Sequence, residues 1–262
     1  MNTKQNTNPR IYISELMPTA QLRRYVPECG IELVRFSVGD TLEHPHDALA
    51  RLKDDFPPET QYILHGPFLD LNAASWDEAI RSATLRRYMQ VYALAKELGA
   101  SKIVLHSGFI PNAHYIEGWI ERMAEFFLRF LDQCDGVMIA LENCFDPDYA
   151  PLFALWRKVG RPNFTLCLDV GHAHCYGASS VNHWARALLP ALTHIHIHDN
   201  HGWQSRFRNP DEHLALGAGT LPANEVLSIL KQKSSLTYTV ECADPKSVDD
   251  TLITLLTTLG DN

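Results

Sequence analysis

The feature of this sequence that most constrains its fold is a regular alternation of short apolar runs with longer amphipathic stretches. The apolar runs are typical of buried strands and lie at residues 11–14, 31–38, 62–68, 102–107, 137–143, 164–170, 194–200 and 237–242. Helical patterns follow them at residues 19–25, 46–54, 77–98, 116–134, 148–159, 182–189, 222–231 and 247–259. Because a strand and a helix alternate eight times within 262 residues, the sequence predicts an α/β fold, a single (β/α)8 TIM barrel.

An open, doubly wound sheet is the alternative fold for such an alternation. The Gly-rich turn G-x-G-x-x-G, which is typical of dinucleotide-binding sheets, occurs at none of the strand-to-helix turns. The sequence also has no low-complexity segment and no linker rich in Gly, Ser or Pro. We therefore expect one barrel domain over residues 1–262.

The composition excludes several classes of protein. With 45% apolar and 21% charged residues the chain can bury a large core, so disorder and fibrous structure are excluded. The longest apolar runs are far shorter than the roughly 20 residues of a membrane helix, and the polar residues 1–10 do not resemble a secretory signal. We expect a cytoplasmic protein without a membrane partner.

Charge and cysteine content narrow the function further. Lys and Arg total 23 against 31 Asp and Glu, and a net charge of −8 gives no positive field for duplex DNA, which is disfavoured as a partner. The six cysteines form no C-x-x-C pair and are expected to be reduced structural thiols. Cys242 should point away from the side of Glu241, whereas Cys144 and Cys167 share the parity of neighbouring polar residues, and their role stays open.

Potential metal ligands recur where the predicted strands end. The nine candidates are His65, His106, Glu142, Asp169, His172, His196, Asp211, His213 and Glu241. The carboxyl ends of all strands of a barrel meet at one mouth, so these side chains should converge although they span residues 65 to 241. Nitrogen and oxygen ligands without thiolate suit Zn²⁺ or Mn²⁺.

Each candidate alone has a simpler interpretation as a hydrogen-bonded structural group. Nine such groups would each need a partner, since an unpaired buried polar group costs about 1–3 kcal/mol. A shared site with about one to three divalent ions per chain satisfies all of them together. In residues 194–198, alternation places three histidines on one face, of which only His196 is needed as a ligand.

The order of these motifs resembles a known superfamily. The motifs are His-Gly-Pro at 65–67, His-Ser-Gly at 106–108, Leu-Glu-Asn at 141–143, Leu-Asp-Val-Gly-His at 168–172, His-Ile-His-Asp at 196–199, Asp-x-His-x-x-x-Gly-x-Gly from 211, and Glu241. Over residues 62–242 they are similar to the xylose isomerase-like TIM barrels, in particular to the endonuclease IV branch (AP endonuclease family 2). The resemblance implies a trinuclear site. His65, His106 and Glu142 would hold the first ion, Glu142, Asp169, His196 and Glu241 the second, and His172, Asp211 and His213 the third.

Sugar isomerases and epimerases of the same superfamily resemble the chain at only four ligands. These four, which would hold a single ion, are Glu142, Asp169, His196 and Glu241. The resemblance makes Glu142, Glu241 and His172 the predicted catalytic residues, with the two glutamates moving a proton in an isomerase. A one-metal isomerase does not need the additional ligands His65, His106, Asp211 and His213, so their presence favours a hydrolase. An isomerase or epimerase is the alternative.

The substrate prediction depends on the acidic charge and on one basic cluster. Arg206 and Arg208 suit one phosphate or carboxylate group of a substrate, although a solvated loop explains them equally well. A small-molecule phosphoester or sugar is favoured over DNA. The cobamide-remodelling phosphodiesterases, which are similar barrels of this size, are one example of such an enzyme, although no motif specifies a corrinoid. We predict in-line attack on phosphorus by a hydroxide between two ions. An AP endonuclease and a non-catalytic barrel that binds sugar phosphates are weaker alternatives.

Overall fold

The barrel predicted from the alternation is present. A computed structural model describes residues 10–26, 28–204 and 210–260, and its eight parallel strands close into a barrel in chain order. Each strand is hydrogen-bonded to the next, and the eighth strand pairs with the first. The strands are β1 (Ile11–Ser14), β2 (Gly30–Leu33), β3 (Tyr62–His65), β4 (Lys102–His106), β5 (Met138–Glu142), β6 (Phe164–Asp169), β7 (Leu192–Ile197) and β8 (Thr237–Val240).

Helices surround the barrel and connect its strands. They are α1 (Thr19–Leu22), α2 (Gly39–Glu43), α3 (His46–Asp55), α4 (Glu78–Leu98), α5 (Ile116–Leu131), α6 (Ala150–Val159), α7 (Val170–Tyr176), α8 (Val181–Leu188), α9 (Ala223–Leu230) and α10 (Pro245–Leu259). Within the described residues, short 3₁₀ segments lie at Arg23–Tyr25 and Gly202–Gln204. None of the described helices is long and apolar enough to cross a membrane.

Local signals explain where two of the longer helices begin and end. The carboxylate of Asp77 precedes α4 and accepts a hydrogen bond from the backbone N–H of Ala79 at 2.8 Å. Gly99 ends this helix in the left-handed conformation, with φ of 64°. Asp244 caps α10 by accepting a hydrogen bond from the N–H of Ser247 at 3.0 Å. Both helices could therefore be predicted closely from the sequence.

Several strands end earlier than the apolar runs that predicted them. β2 ends at Leu33 rather than at residue 38, β3 ends at His65 rather than at 68, and β7 spans 192–197 rather than 194–200. The predicted helix at 19–25 is divided into α1 and a 3₁₀ segment, and α2 and α7 were not predicted. Apolar residues beyond the strand ends, such as Val34 and Phe68, line a cavity above the barrel. An apolar run therefore continues past the end of its strand.

The core has an outer and an inner part. The outer part packs the helices on the barrel and includes the fully buried Trp119 and Trp184. Inside the barrel a smaller cluster contains Tyr12, Ile63, Val104, Ala140 and Cys167. Because side chains alternate along a strand, the next inward positions of β3, β4, β5 and β6 belong to His65, His106, Glu142 and Asp169. The inner apolar cluster thus lies directly below the polar side chains of the mouth.

Candidate metal centre

The nine predicted ligands come together at the mouth of the barrel. Each has a polar side-chain atom 3.1–3.6 Å from a polar atom of another member of the set. Six of them lie in the last two positions of strands β3 to β7 or directly follow β8. The other three are His172 in the first turn of α7, and Asp211 and His213 in the loop before α9. The convergence expected from the strand ends is therefore present.

Glu142 lies at the centre of this group, with its two carboxylate oxygens facing different imidazoles. Its Oε2 is 3.6 Å from Nε2 of His65 and 3.5 Å from Nε2 of His106. Its Oε1 is 3.3 Å from Nδ1 of His172 and 3.2 Å from Nδ1 of His196. The side chain is only 1% exposed, and Oε2 has no hydrogen-bond partner among the described residues. A buried carboxylate oxygen between two imidazole nitrogens fits a divalent cation.

A second group of ligand atoms surrounds Nδ1 of His196. Besides Glu142, this nitrogen faces Oε1 of Glu241 at 3.3 Å and Oδ2 of Asp169 at 3.8 Å. Ligand atoms of Glu142, Asp169 and His196 lie within 4.8 Å of one another. These are the residues that the superfamily resemblance assigned to the second ion.

A third group is centred on Asp211. Its Oδ2 is 3.3 Å from Nε2 of His172 and 3.1 Å from Nε2 of His213. The backbone of His213 has φ of 50°, which is uncommon for a residue with a Cβ and is often found at functional sites. The three residues assigned to the third ion are thus also adjacent.

Three of the imidazoles are oriented by hydrogen bonds from Nδ1 to backbone carbonyls. Nδ1 of His65 lies 2.9 Å from the carbonyl of Gly66, Nδ1 of His172 lies 3.1 Å from that of Asn143, and Nδ1 of His213 lies 2.9 Å from that of Glu241. In each ring Nδ1–H donates to the backbone, which leaves the lone pair on Nε2 for a metal ion. This arrangement is typical of metal-ligating histidines.

The electrostatics of the site also indicate a place for cations. Burial raises the pKa of Glu142, but the neighbouring His196 and His106 outweigh it and hold the pKa well below the usual range. Burial lowers the pKa of His172, yet Asp169 and Asp211 raise it well above its usual value. Burial lowers the pKa of His106 to about 3. Ionised carboxylates are therefore partly balanced by protons on imidazoles, which metal ions can replace.

Asn143 explains the Leu-Glu-Asn motif beside the central carboxylate. Its side-chain amide donates from Nδ2 to the carbonyl of Asp169 at 2.9 Å, and its Oδ1 accepts from the N–H of Asp169 at 2.9 Å. The amide thus imitates a further strand residue and extends the pairing of β5 with β6. It places Asp169 next to Glu142.

Asp199 holds the loop that carries the third group. Its Oδ2 accepts backbone hydrogen bonds from Gly217 at 2.9 Å and Gly219 at 3.1 Å, and its Oδ1 accepts from Asn200 at 2.8 Å and Leu221 at 3.0 Å. A Cβ on Gly219 would lie 2.3 Å from the carbonyl oxygen of Asn200, so only glycine fits there. The Gly-x-Gly of the motif therefore positions Asp211 and His213.

Three residues of the site were missed or underrated at the sequence level. Glu32 and His194 are fully buried below the mouth, next to His196. His198 is also fully buried, lies 3.1 Å from Oδ1 of Asp169 through Nε2, and stacks on His213 with ring centroids 4.1 Å apart. The sequence contains a signal for each of them. Glu32 is a charged residue inside an apolar strand, and the alternation of residues 194–198 places His194 and His198 on the same face as His196.

A cavity of about 670 Å³ opens above the ligands. One side of it consists of apolar side chains on successive strand-to-helix loops, and four of these are markedly exposed: Leu16, Leu69, Ile110 and Phe145. Phe68 stacks on the ring of His106 with centroids 4.5 Å apart. In the described parts of the chain, no Lys or Arg lines this cavity. The predicted substrate-binding residues Arg206 and Arg208 lie outside the described residues.

The cysteines near the site do not provide a reactive thiolate. Cys242 points away from the mouth and donates from Sγ to the carbonyl of Leu214 at 3.6 Å. Cys167 belongs to the apolar cluster inside the barrel. Cys144 lines the cavity, but burial raises its pKa to about 12. The thiols are thus protonated at neutral pH.

Comparison with known proteins identifies relatives over most of the chain. The profile of a family described as xylose isomerase-like TIM barrel matches residues 25–255. An uncharacterized protein of Methanocaldococcus jannaschii is 28% identical over 198 residues, which cover 70% of this chain and 64% of that protein. The chain therefore spans less than two thirds of that relative. A probable endonuclease 4 of Mycobacterium bovis is 24% identical over 250 residues, or 90% of this chain and 94% of that protein.

Two solved structures extend the comparison. A Thermus thermophilus protein soaked with ZnCl2 superposes with a TM-score of 0.74 at 26% identity, covering 97% of this chain and 100% of that one. A D-tagatose 3-epimerase-like protein superposes with a TM-score of 0.72 at 22% identity, covering 95% and 97%. At this identity the second similarity shows the fold alone.

Proposed function

The chain belongs to the family of xylose isomerase-like TIM barrels, and on that premise we propose that it is a metal-dependent phosphodiester hydrolase acting on a small molecule. The observation that carries the proposal is the number of ligand groups. Glu142 faces two imidazoles through each of its oxygens, and Asp211 lies between His172 and His213 beside it. One ion cannot use all of these groups. A site for two or three ions suits phosphoryl transfer.

Each group of residues at the mouth would have a separate role in phosphodiester hydrolysis. When bound, divalent ions lower the pKa of a water molecule towards neutrality and offset charge on phosphoryl oxygens. Glu142 would hold two ions, because its oxygens face different imidazoles. Burial raises the pKa of Glu241, so this carboxylate can take up a proton beside His196. Asp211 and His213, with His172, would hold an ion near the leaving oxygen.

The cavity favours a small substrate over duplex DNA. Its volume of about 670 Å³ lies in the range of small-molecule sites. Its apolar side suits an aromatic or aliphatic group attached to the phosphodiester, and the net charge of −8 disfavours a polyanion. The phosphodiester in the nucleotide loop of a cobamide is one such substrate. The relatives named probable endonuclease 4 support hydrolysis of phosphodiesters.

An isomerase or epimerase of a sugar or sugar phosphate is the second candidate. A one-metal enzyme of this superfamily would use four ligands, and all four lie together here. Ligand atoms of Glu142, Asp169 and His196 are within 4.8 Å of one another, and Glu241 lies 3.3 Å from His196. Several superposable structures carry epimerase names. In this case Glu142 and Glu241 would move a proton between adjacent carbons of a ketose.

The two activities can be separated at Asp211 and His213. We expect the wild type to hydrolyse bis(4-nitrophenyl) phosphate with Zn²⁺ or Mn²⁺, and the double variant Asp211→Ala/His213→Ala to lose this activity by about 100-fold or more, because charge stabilisation at the leaving oxygen is lost. The matched control is His46→Ala/Asp47→Ala, which removes the same residue types from an exposed face of α3 and should leave the rate unchanged.

One result would contradict the proposed phosphodiester hydrolase. If the wild type interconverts ketoses but hydrolyses no phosphodiester with any divalent metal, the isomerase replaces it. If the double variant retains isomerisation, the chemistry belongs to the group around Glu142 and Glu241.

A further inference from the structure

Glu32 is a fully buried carboxylate inside the barrel, below the metal centre. Its side chain belongs to β2 and has no exposed surface. Oε1 lies 3.2 Å from Nε2 of His196, and Oε2 lies 2.5 Å from Oγ1 of Thr239 and 3.3 Å from Nε2 of His194. A carboxylate in such a place needs several donors, and the structure provides three.

The hydrogen bonds below the site form a chain whose donors can all be directed towards Glu32. The buried Lys102 donates from Nζ to Oγ1 of Thr237 at 2.8 Å, and the Thr237 hydroxyl can donate to Nδ1 of His194 at 2.7 Å. His194 then carries its proton on Nε2, which faces Oγ1 of Thr239 at 2.9 Å as well as Glu32. Lys102 and Thr237 also contact the carbonyl of Thr193, at 2.9 and 3.2 Å, and the ionised Glu32 accepts at the end of the chain.

His196 differs from the other imidazoles of the centre in how it is held. His65, His172 and His213 donate from Nδ1 to backbone carbonyls. His196 is reversed: its Nε2 faces the Glu32 carboxylate, and its Nδ1 faces Glu142, Glu241 and Asp169. The Glu32 carboxylate thus accepts the ring N–H of His196, as backbone carbonyls accept the ring N–H of the other three histidines. Unlike a backbone carbonyl, it can be changed by substitution.

We propose that Glu32 is the positioning residue that fixes His196 as an Nδ1 metal ligand. It keeps the proton on Nε2, holds the plane of the ring, and makes Nδ1 a stronger donor to the ion. The inference rests on the metal centre of the proposed function. A separate ion bound by Glu32, His194 and His196 is the competing interpretation, because their ligand atoms lie within 4.8 Å of one another. The protein donors already present at Glu32 argue against such an ion.

The test is the zinc affinity of Glu32→Gln, measured by competition with a chromophoric chelator. Gln keeps the shape of the side chain but removes the charge, so we expect binding to the His196 site to weaken by about 10–100-fold, the usual effect of losing such a partner. Glu32→Asp keeps the charge but withdraws it by about one bond length, and it should fall between Gln and the wild type.

The matched control is Glu15→Gln. Glu15 is a mostly buried carboxylate, with hydrogen bonds from the backbone of Val34 and Arg35 and an ion pair with Arg35, but it contacts no predicted ligand. This variant should bind zinc as the wild type does. Circular dichroism melts of all variants would separate lost ligation from lost folding.

A second measurement needs no variant. Nitrogen-15 spectra of the zinc-loaded wild type should show His196 with its proton on Nε2 and the ion on Nδ1. The opposite tautomer would overturn the inference, as would a folded Glu32→Gln protein with undiminished zinc affinity. Loss of one whole ion in Glu32→Gln, with His196 still bound elsewhere, would favour the separate ion and also overturn it. A wild type that binds no divalent metal would instead contradict the proposed function itself.

Discussion

Substituting Gly171 by alanine tests the packing around α7, because two physical effects predict opposite changes in the free energy of unfolding. This residue lies in the first turn of α7, where Gly→Ala normally stabilises by about 0.4–1 kcal/mol because alanine restricts the unfolded chain. A Cβ at this position would lie 2.0 Å from Cε1 of His198 and 2.4 Å from both of its ring nitrogens. Ordinary carbon contacts are about 3.5 Å, so the ring would have to move by roughly 1.5 Å.

The surrounding atoms leave no space for this movement of the His198 ring. The His198 ring is fully buried, is stacked on His213, and contacts Asp169 at 3.1 Å. We therefore expect Gly171→Ala to lower the free energy of unfolding by about 1–3 kcal/mol, the usual cost of overpacking. For a chain of this size each kcal/mol lowers Tm by about 2–4 °C. Displacing His198 should also disturb Asp169 and weaken zinc binding.

The assay is urea unfolding of metal-free protein, followed by circular dichroism. The matched control is Gly118→Ala in the first turn of α5, where the added Cβ would meet only the guanidinium of Arg122 at 3.2 Å, which would have to shift by a few tenths of an ångström. That variant should be as stable as the wild type or slightly more stable. If Gly171→Ala proves as stable as Gly118→Ala, the packing of His198 against α7 is not as described.

Three further outcomes follow from individual contacts. Glu142→Gln should lose both bound metal and phosphodiester turnover, because one neutral oxygen cannot serve two ions; full metal content with full activity would refute the bridging role. Burial raises the pKa of Asp146 to about 6, so its stabilising contribution is present at pH 4 and lost as pH rises through 6. Metal-free Asp146→Asn should therefore match the wild type at pH 4 but exceed its unfolding free energy by up to about 3 kcal/mol at pH 7.5. Asp199→Asn can accept only about half of the four backbone hydrogen bonds, so hydrogen exchange of residues 211–221 should accelerate by roughly 100-fold; unchanged protection would exclude the anchoring role.

The fold could be predicted because its signals are local and repeated. Each strand and most helices have a period that the sequence displays directly, and caps such as Asp77 and Asp244 mark helix starts. α7 was missed because Asp169 has two functions at once. It ends β6, and its Oδ1 accepts a hydrogen bond from the N–H of His172 at 2.6 Å, so the chain passes from strand to helix without a loop.

The ligand positions could be predicted because barrel geometry brings strand ends together whatever their separation in sequence. Glu32 could not be assigned in the same way. Its contact with His196 depends on the register of β2 relative to β7 across the barrel, which no local pattern reports. The apolar side of the cavity was also missed, because residues such as Leu69 and Phe145 lie in loops without periodicity.

The zinc content of the purified protein tests the central claim most directly. A catalytic Zn²⁺ commonly takes three protein ligands, so the nine converging groups predict about three ions per chain at saturating free zinc, measured by mass spectrometry of the metal against protein concentration. A wild-type protein that saturates with about one ion per chain would contradict the multinuclear phosphodiesterase and favour the one-metal isomerase.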